Sequence, residues 1–402
     1  MRVYLDHAAT TPVDPRVLHA MLPFFTERAG NASSVHGFGQ DARAAVDQAR
    51  AQVAATIGAR PSEVVFTSGA TESDNLAVFG VALAAEARGR HIVTTAIEHH
   101  AVLEACHLLE QRGWTVTYVP VDGRGIVDPD DVRRSLRPDT VLVSVMAANN
   151  EIGTLQPVTE IGRFTRERNI PFHTDATQLV GAAPVGVDDL HVDLLSMSAH
   201  KRYGPKGVGA LFVRTGTRVA SVQRGGSHER GLRGGTENVP GIVGLGAALR
   251  IALEVMEDEQ ARLTALRDRL IRETLEMPGP TSMGIPRAGC PTTSTCRSTR
   301  RTASRSCWGS TSTGWHPVPG RRVPRAAWNR PTCSWRWGFP RSAPRRPSGS
   351  PSAAGRPTPR SPTPSERSAT WWRGSGARPD CPPVRRSGAL AASRGLDLGA
   401  AD

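Results

Sequence analysis

The chain has 402 residues, enough for about two or three domains and a large hydrophobic core. It has neither a charged-then-apolar start nor an apolar run of about 18 residues, so the sequence predicts no signal peptide, no membrane span and a cytoplasmic location. The formal net charge of +13 would favour a nucleic-acid partner, but it is unevenly distributed. Residues 1–286 carry −4 and residues 287–402 carry +17, so the basic character belongs to the C-terminal region.

The first 286 residues read as an α/β protein. Residues 1–14 are predicted to form an extended N-terminal arm, and Asp14-Pro15 to start a helix by capping. Short strand-like runs then alternate with helical spacing, which predicts a largely parallel sheet covered on both faces. Strands are predicted at 64–67, 91–95, 115–119, 141–145, 170–174, 192–197 and 208–213, the last of them antiparallel, and helices at 39–57, 71–87, 101–112, 129–136, 158–168 and 240–277.

Residues 287–402 differ from the rest in composition. They contain 21 Arg and no Lys, seven of the eight Trp and five of the six Cys. Leu, Val, Phe, Met and Ile together make only seven of these 116 residues, which is too few for a packed core. A disordered basic extension is the simplest interpretation, but such extensions avoid Trp and Cys.

The genetic code offers a better explanation, a frame slip. When the last base of each codon is joined to the first two of the next, Cys307 followed by Trp308 must encode Leu, and Trp328 followed by Asn329 must encode Glu. Longer stretches, such as 302–315, permit ordinary globular sequence in that frame. We infer a slip between about residues 286 and 290, which makes 15–255 the large domain, 256–286 the start of a small domain and 287–402 a frameshifted tail.

The lysines are the first candidates for chemistry. Of the 50 Lys and Arg residues only two are lysines, Lys201 and Lys206. Arginine can supply positive charge, but its pKa is too high for it to act as a nucleophilic amine. A lysine whose pKa is lowered can form a Schiff base with a carbonyl compound. Lys201 follows an apolar run and His200, whereas Lys206 lies between Pro205 and Gly207 in a turn-like context.

Further polar residues follow the predicted strands, where the functional groups of such sheets gather. The turn 67–72 joins a strand to a helix and could bind an anion, or could be an ordinary cap with Ser68 or Thr71 as N-cap. A histidine after the second strand could serve as an acid–base group, and a carboxylate after a later strand could hold a pyridinium nitrogen protonated. These candidates are Glu98, His99, Asn149, Asn150 and Asp175.

Together these stretches resemble the cysteine desulfurases of the NifS/IscS kind, within the fold-type I, class V aminotransferase-like family. The resemblance covers residues 1 to about 250, in the family's order. It implies a mainly parallel seven-stranded sheet with helices on both faces, a small C-terminal domain, a pyridoxal 5'-phosphate cofactor and a homodimer. The matching stretches are 4–15, 67–76, 98–99, 149–153, 175–178, 198–201, 204–207 and 229–238.

The resemblance also implies roles for groups around the cofactor ring. Lys201 would form the Schiff base and later move protons at the substrate carbon, and Asp175 would pair with the ring nitrogen. His99 would stack on the ring and act as an acid–base group. Gln178 would bond the phenolate oxygen, and Asn150 would lie near the cofactor and the substrate carboxylate.

The phosphate end of the cofactor is assigned in the same way. Ala70, Thr71, Ser198 and His200 would hold the phosphate of their own subunit. Thr236 would reach the phosphate of the neighbouring subunit. No metal is expected.

In the family, a cysteine on a C-terminal loop takes sulfur from L-cysteine and leaves alanine, and the persulfide then supplies an iron–sulfur scaffold or a tRNA-thiolation enzyme. Here Cys106 lies among apolar helical neighbours, as a structural thiol would. Cys290, Cys296, Cys307, Cys333 and Cys381 do not match the family's motif, and neither the persulfide cysteine nor the substrate-carboxylate arginine is recognisable. In the alternative frame, the codon spanning Arg322 and Val323 permits a cysteine. We therefore expect the chain as written to be inactive and to bind the cofactor poorly or not at all.

Three alternatives remain open. A selenocysteine lyase or another class V aminotransferase-like enzyme would share the fold, although the stretch 229–238 favours a desulfurase. An arginine-rich tail that binds nucleic acid would give binding that depends steeply on salt. A scaffold without catalytic activity would need only a soluble chain.

Overall fold

A computed structural model describes residues 2–276 and the backbone of two short strands at 280–282 and 296–298. The predicted tail otherwise lies outside the described residues. The helices are α1 (Pro15–Met21), α2 (Gly37–Thr56), α3 (Ala70–Ala85), α4 (His100–Glu110), α5 (Pro129–Ser135), α6 (Val158–Glu167) and α7 (Val239–Leu275). The strands are β1 (Val64–Thr67), β2 (His91–Thr95), β3 (Thr115–Val119), β4 (Thr140–Ser144), β5 (Phe172–Asp175), β6 (Leu194–Ser198), β7 (Gly209–Val213), β8 (Pro280–Ser282) and β9 (Cys296–Ser298).

The main sheet has seven strands in the order β1-β7-β6-β5-β4-β2-β3. Strand β7 runs antiparallel to both of its neighbours, and the remaining pairs are parallel. Six strands therefore point the same way, and their carboxyl ends lie along one edge. The predicted fold class, a mainly parallel seven-stranded sheet with one antiparallel strand, is confirmed. The predicted element ends differ from the observed ones by a few residues.

Both faces of the sheet are buried, as continuous apolar strands require. Along β4, Leu142 packs into the cluster that contains α3 and α4, and Val143 packs into the cluster that contains α2 and α6. Strand side chains alternate between the two faces, so β1, β2, β6 and β7 likewise contribute residues to both clusters. Helices α3 and α4 thus cover one face of the sheet, and α2 and α6 lie on the other.

Helix α7 spans 37 residues and crosses the predicted domain boundary at 255 without a break. Its first half packs against α1 and α2, where a Cβ on Gly246 would come within 2.9 Å of the Cα of Ala49. An 18-residue stretch of α7 is long and apolar enough to cross a membrane, but 56% of it is buried within the described protein, as in a core helix. The second half leaves Leu266, Leu270 and Leu275 exposed.

The N-terminal arm is held against the turn that contains Lys201. The Thr11 amide donates to the carbonyl of His200 at 2.9 Å, and the Asp14 amide donates to the carbonyl of Tyr203 at 2.9 Å. Asp14 also accepts a hydrogen bond from the Arg16 amide at 2.7 Å, so it caps α1 as predicted. The arm therefore forms one wall of the space beside Lys201.

Candidate active site

A cavity of about 540 Å³ lies at the carboxyl ends of the parallel strands, within the size range of small-molecule sites. Residues from the arm, the β1–α3 turn and the segments after β2, β4, β5 and β6 all contribute to it. Nine of the ten predicted site residues line the cavity: Ala70, Thr71, His99, Asn150, Asp175, Gln178, Ser198, His200 and Lys201. The other lining residues are Ala9, Thr10, Ser68, Gly69, Glu72, Met146, Ala148, Thr177, Lys206 and Gly207.

Thr236 is the predicted site residue that does not line the cavity. It is exposed, in the segment just before α7. Its predicted role at the neighbouring subunit's phosphate remains a prediction. Thr236 would have to be exposed in order to reach a neighbouring subunit.

Lys201 lies in a short helical turn directly after β6. Its amine donates to the carbonyl oxygens of Ala8 and Ala9 in the arm, at 2.5 and 3.0 Å. Burial lowers the pKa of Lys201, and the negative charge of Asp175 acts in the opposite direction. Lowering the pKa increases the unprotonated fraction of the amine, which is the form that attacks a carbonyl carbon.

Asp175 ends β5 and is buried beneath the cavity. One of its carboxylate oxygens accepts a hydrogen bond from the Thr177 amide at 2.9 Å, which fixes the orientation of the carboxylate. Asp175 interacts electrostatically with both Lys201 and His99. An oriented carboxylate in this position suits a protonated ring nitrogen.

His99 is the N-cap of α4, and its Nδ1 accepts a hydrogen bond from the Ala101 amide at 3.1 Å. Because Nδ1 is an acceptor, the neutral ring carries its proton on Nε2. Burial lowers the pKa of His99, and the charge of Lys201 lowers it further, although Asp175 raises it. A neutral, half-buried imidazole can stack on a flat ring and can donate or accept one proton.

The β1–α3 turn leaves the first amides of α3 without a side-chain cap. The N-cap is Gly69, with φ +152°, and it makes no side-chain capping hydrogen bond. The alternative of an ordinary cap at Ser68 or Thr71 is therefore wrong. A Cβ on Gly209 would come within 2.7 Å of the Cα of Gly69, so the turn also needs glycine at 209. Uncapped amides at the start of a 16-residue helix suit an anion.

His200 completes this end of the cavity. Its Nδ1 is 3.1 Å from the hydroxyl of Thr10. Burial lowers the pKa of His200 to about 4, and the charges of Lys201 and Lys206 contribute to the shift. The ring is therefore neutral at physiological pH and can offer a hydrogen bond but no positive charge.

Asn150 and Gln178 are positioned by neighbouring backbone. Asn149 is buried and its side-chain oxygen accepts hydrogen bonds from the amides of Glu151 and Ile152, at 2.9 and 3.0 Å, which shapes the loop that presents Asn150 to the cavity. The side-chain amide of Gln178 donates to the carbonyl of Ala8 at 3.1 Å. The arm therefore contacts both Gln178 and Lys201.

Two buried acids lie behind the cavity, and of these only Glu98 was among the candidates that the sequence indicated. Asp74 lies on α3, with an oxygen 3.6 Å from Nε2 of His173, and Glu98 accepts hydrogen bonds from Thr95 and the Met146 amide. Burial raises the pKa of Asp74 well above its usual range, and it raises the pKa of Glu98 to about 8. Glu98 is therefore mostly protonated at neutral pH, and burial favours the protonated form of Asp74 as well.

These residues fit pyridoxal phosphate. The cavity combines an amine of lowered pKa, an oriented carboxylate, a neutral imidazole and a set of uncapped amides. The hydroxyl of Thr177 is buried without a hydrogen-bond partner among the described residues, so it can receive a polar group. Burial favours the uncharged forms of Asp74 and Glu98, which limits the negative charge behind Asp175.

Residues 3–303 match the family Aminotransferase class-V, so the chain belongs to this family of pyridoxal-phosphate enzymes. Within the family its relatives are cysteine desulfurases. The cysteine desulfurase IscS of Dictyoglomus turgidum is 55% identical over 271 residues, which cover 67% of this chain and 69% of the relative. The IscS of Anaeromyxobacter dehalogenans is 55% identical over 277 residues, which cover 68% of each chain.

Solved structures of similar proteins share this fold. A NifS-like protein superposes with a TM-score of 0.70 at 44% identity, covering 72% of this chain and 80% of that chain. DndA from Streptomyces lividans gives a TM-score of 0.65 at 40% identity and covers 72% of this chain and 82% of that one. SspA in complex with cysteine gives 0.60 at 45% identity, with 61% and 72% covered.

Proposed function

We propose that residues 1–286 encode the cofactor site of a pyridoxal-phosphate-dependent cysteine desulfurase, and that the chain as written does not complete the reaction. One observation carries the proposal: the amine of Lys201 and the carboxylate of Asp175 line a single cavity at the carboxyl ends of the strands. The names of the similar proteins specify the substrate class, L-cysteine.

The proposed reaction transfers the sulfur atom of L-cysteine to a protein thiolate. A protein thiolate attacks the substrate sulfur, the carbon–sulfur bond breaks, and the carbon takes up a proton to give alanine. The sulfur stays on the protein as a persulfide. Pyridoxal phosphate, when bound, supplies an electron sink that makes negative charge at the substrate carbons tolerable.

The chain's own residues would handle positions and protons. Lys201, with its lowered pKa, is available to accept a proton from the substrate carbon and to return it. His99 is neutral and carries its proton on Nε2, so it can transfer one proton at the ring. Asp175 would keep a ring nitrogen protonated.

The nucleophilic thiolate is the part that we expect this chain to lack. Cys106 is free and buried in α4, and burial raises its pKa to about 12, so it does not form a thiolate at neutral pH. The cysteines from 290 onwards lie in the region of the inferred frame slip. We propose that the missing cysteine is encoded by the codon spanning Arg322 and Val323 in the other frame.

Partners follow from the same proposal. A homodimer would place Thr236 at the neighbouring subunit's phosphate. The persulfide would pass to an acceptor such as an iron–sulfur scaffold or a tRNA-thiolation enzyme. We keep the cytoplasmic location as a prediction.

The test compares two chains: the chain as written and one with its C-terminal reading frame restored. Alanine and sulfide are measured after incubation with L-cysteine, pyridoxal phosphate and a thiol reductant. We expect alanine only from the restored chain. Normal alanine release from the chain as written would contradict the inactivity proposal, and release by the restored chain from selenocysteine but not from cysteine would favour a lyase instead.

A further inference from the structure

The second lysine of the chain also lines the cavity. Lys206 lies five residues after Lys201, in the turn between the helical turn Ala199–Lys201 and β7. The charge of Lys206 is close enough to His200 to contribute to the lowering of its pKa. It therefore acts at the end of the cavity where His200, Ser198 and the start of α3 lie.

The backbone holds this turn in place. The Ala199 amide donates to the carbonyl of Val208 at 3.2 Å, and the Gly204 amide donates to the carbonyl of Ala199 at 3.0 Å. Gly207 adopts φ +81°, a conformation that favours glycine, and its carbonyl accepts a hydrogen bond from Asn238 at 3.4 Å. The position of Lys206 is thus fixed at its backbone, whereas its side chain is exposed.

A charge count shows what this end of the cavity lacks without Lys206. A phosphate monoester carries about two negative charges at neutral pH. Thr71 and Ser198 offer only neutral hydrogen bonds, and His200 is neutral. The nearby cation Arg233 is already paired with Glu72, at 2.8 Å.

Lys206 is the cation available to such a phosphate. Within residues 2–276 it forms no salt bridge within 4.0 Å and no side-chain hydrogen bond. Lys201 is committed to the arm carbonyls and to the proposed covalent attachment. Lysine binds phosphate as a compact point charge, and a hydrogen bond to a charged group is stronger than one between neutral groups.

We propose that Lys206 is the cationic anchor for the cofactor's phosphate, set beside the neutral cradle of α3, Ser198 and His200. This inference rests on the proposed use of the cavity for pyridoxal phosphate.

The test separates the phosphate from the ring. Dissociation constants for pyridoxal phosphate and for pyridoxal, which lacks the phosphate, are measured by absorbance and fluorescence titration of the full chain. We expect Lys206→Ala to weaken binding of the phosphate ester by about tenfold or more and binding of pyridoxal by less than about twofold. Lys206→Arg should restore most of the loss, and the exposed-cation control Arg163→Ala should change neither constant.

A second probe covers the case in which the full chain holds neither ring compound. Inorganic phosphate is titrated against the wild type and Lys206→Ala, with thermal stabilisation as the readout. Stabilisation that is lost in the variant supports the anchor, even if the proposed enzyme function fails. Equal phosphate binding by both proteins, or equal weakening of pyridoxal and its phosphate, would overturn the inference.

Discussion

Residues 2–276 and residues 287–402 are built from different amino acids, although one chain contains both. The first region carries both lysines and supplies a cavity whose lining comes from six separate segments. The second has 21 Arg, seven Trp and only seven large aliphatic residues or phenylalanines in 116. The contrast suggests that selection for packing and for chemistry shaped the first region, whereas a shifted reading frame produced the second.

The two lysines give the largest expected effect. In the frame-restored chain, Lys201→Ala should abolish the covalent attachment of pyridoxal phosphate that is detected after reduction with borohydride. It should also reduce alanine release by about a thousandfold or more, because the amine acts in both attachment and proton transfer. Mass spectrometry of reduced peptides and an alanine assay measure the two effects. Attachment that persists at Lys206 in the variant would show that the roles of the two lysines had been exchanged.

Glu98 gives an intermediate effect, on stability rather than on activity. Its folded-state pKa of about 8 is above the ordinary value of 4.5, so its contribution to stability is present below pH 4.5 and is lost as the pH rises toward 8. Relative to Glu98→Gln, the wild type should lose on the order of 3 kcal/mol of unfolding free energy between pH 5 and pH 8. Glutamine keeps an oxygen for the hydrogen bonds from Thr95 and the Met146 amide.

Urea unfolding at several pH values measures this difference. The matched control is Glu160→Gln, at an exposed position on α6, whose stability should follow that of the wild type at every pH. A Glu98→Gln curve parallel to the wild-type curve would mean that Glu98 is ionised in the folded protein.

Truncation after residue 286 should have the smallest effect on the first region. If the tail contributes no packed core, the unfolding midpoint should change by only a few degrees, as for a surface change. The same truncation removes 21 arginines, so any salt-dependent DNA binding should vanish with it. Loss of cooperative unfolding would show that the tail supports the fold.

Much of the fold could be predicted because its signals are local. Strand runs such as 141–145 and the cap at Asp14 depend on neighbouring residues, and both are present in the structure. Site residues could be named because strand ends in a parallel sheet converge on one edge. Their roles, in contrast, came from resemblance to a family.

The rest depends on tertiary packing. Asp74 lies among ordinary helical residues in the sequence, and only the fold places it 3.6 Å from His173 in a fully buried position. The sequence left open whether the β1–α3 turn has an ordinary side-chain cap, and the structure shows that Gly69 takes the N-cap position without one. Lys206 looked like a turn residue until the fold placed it in the same cavity as Lys201.

The base sequence of the gene across codons 280–300 tests the central claim most directly. The account predicts that one or two bases are missing or extra there, and that the corrected frame restores a small domain with a cysteine near position 323. A sequence that confirms the present reading frame through these codons would contradict it, because residues 287–402 would then be the intended product of the gene.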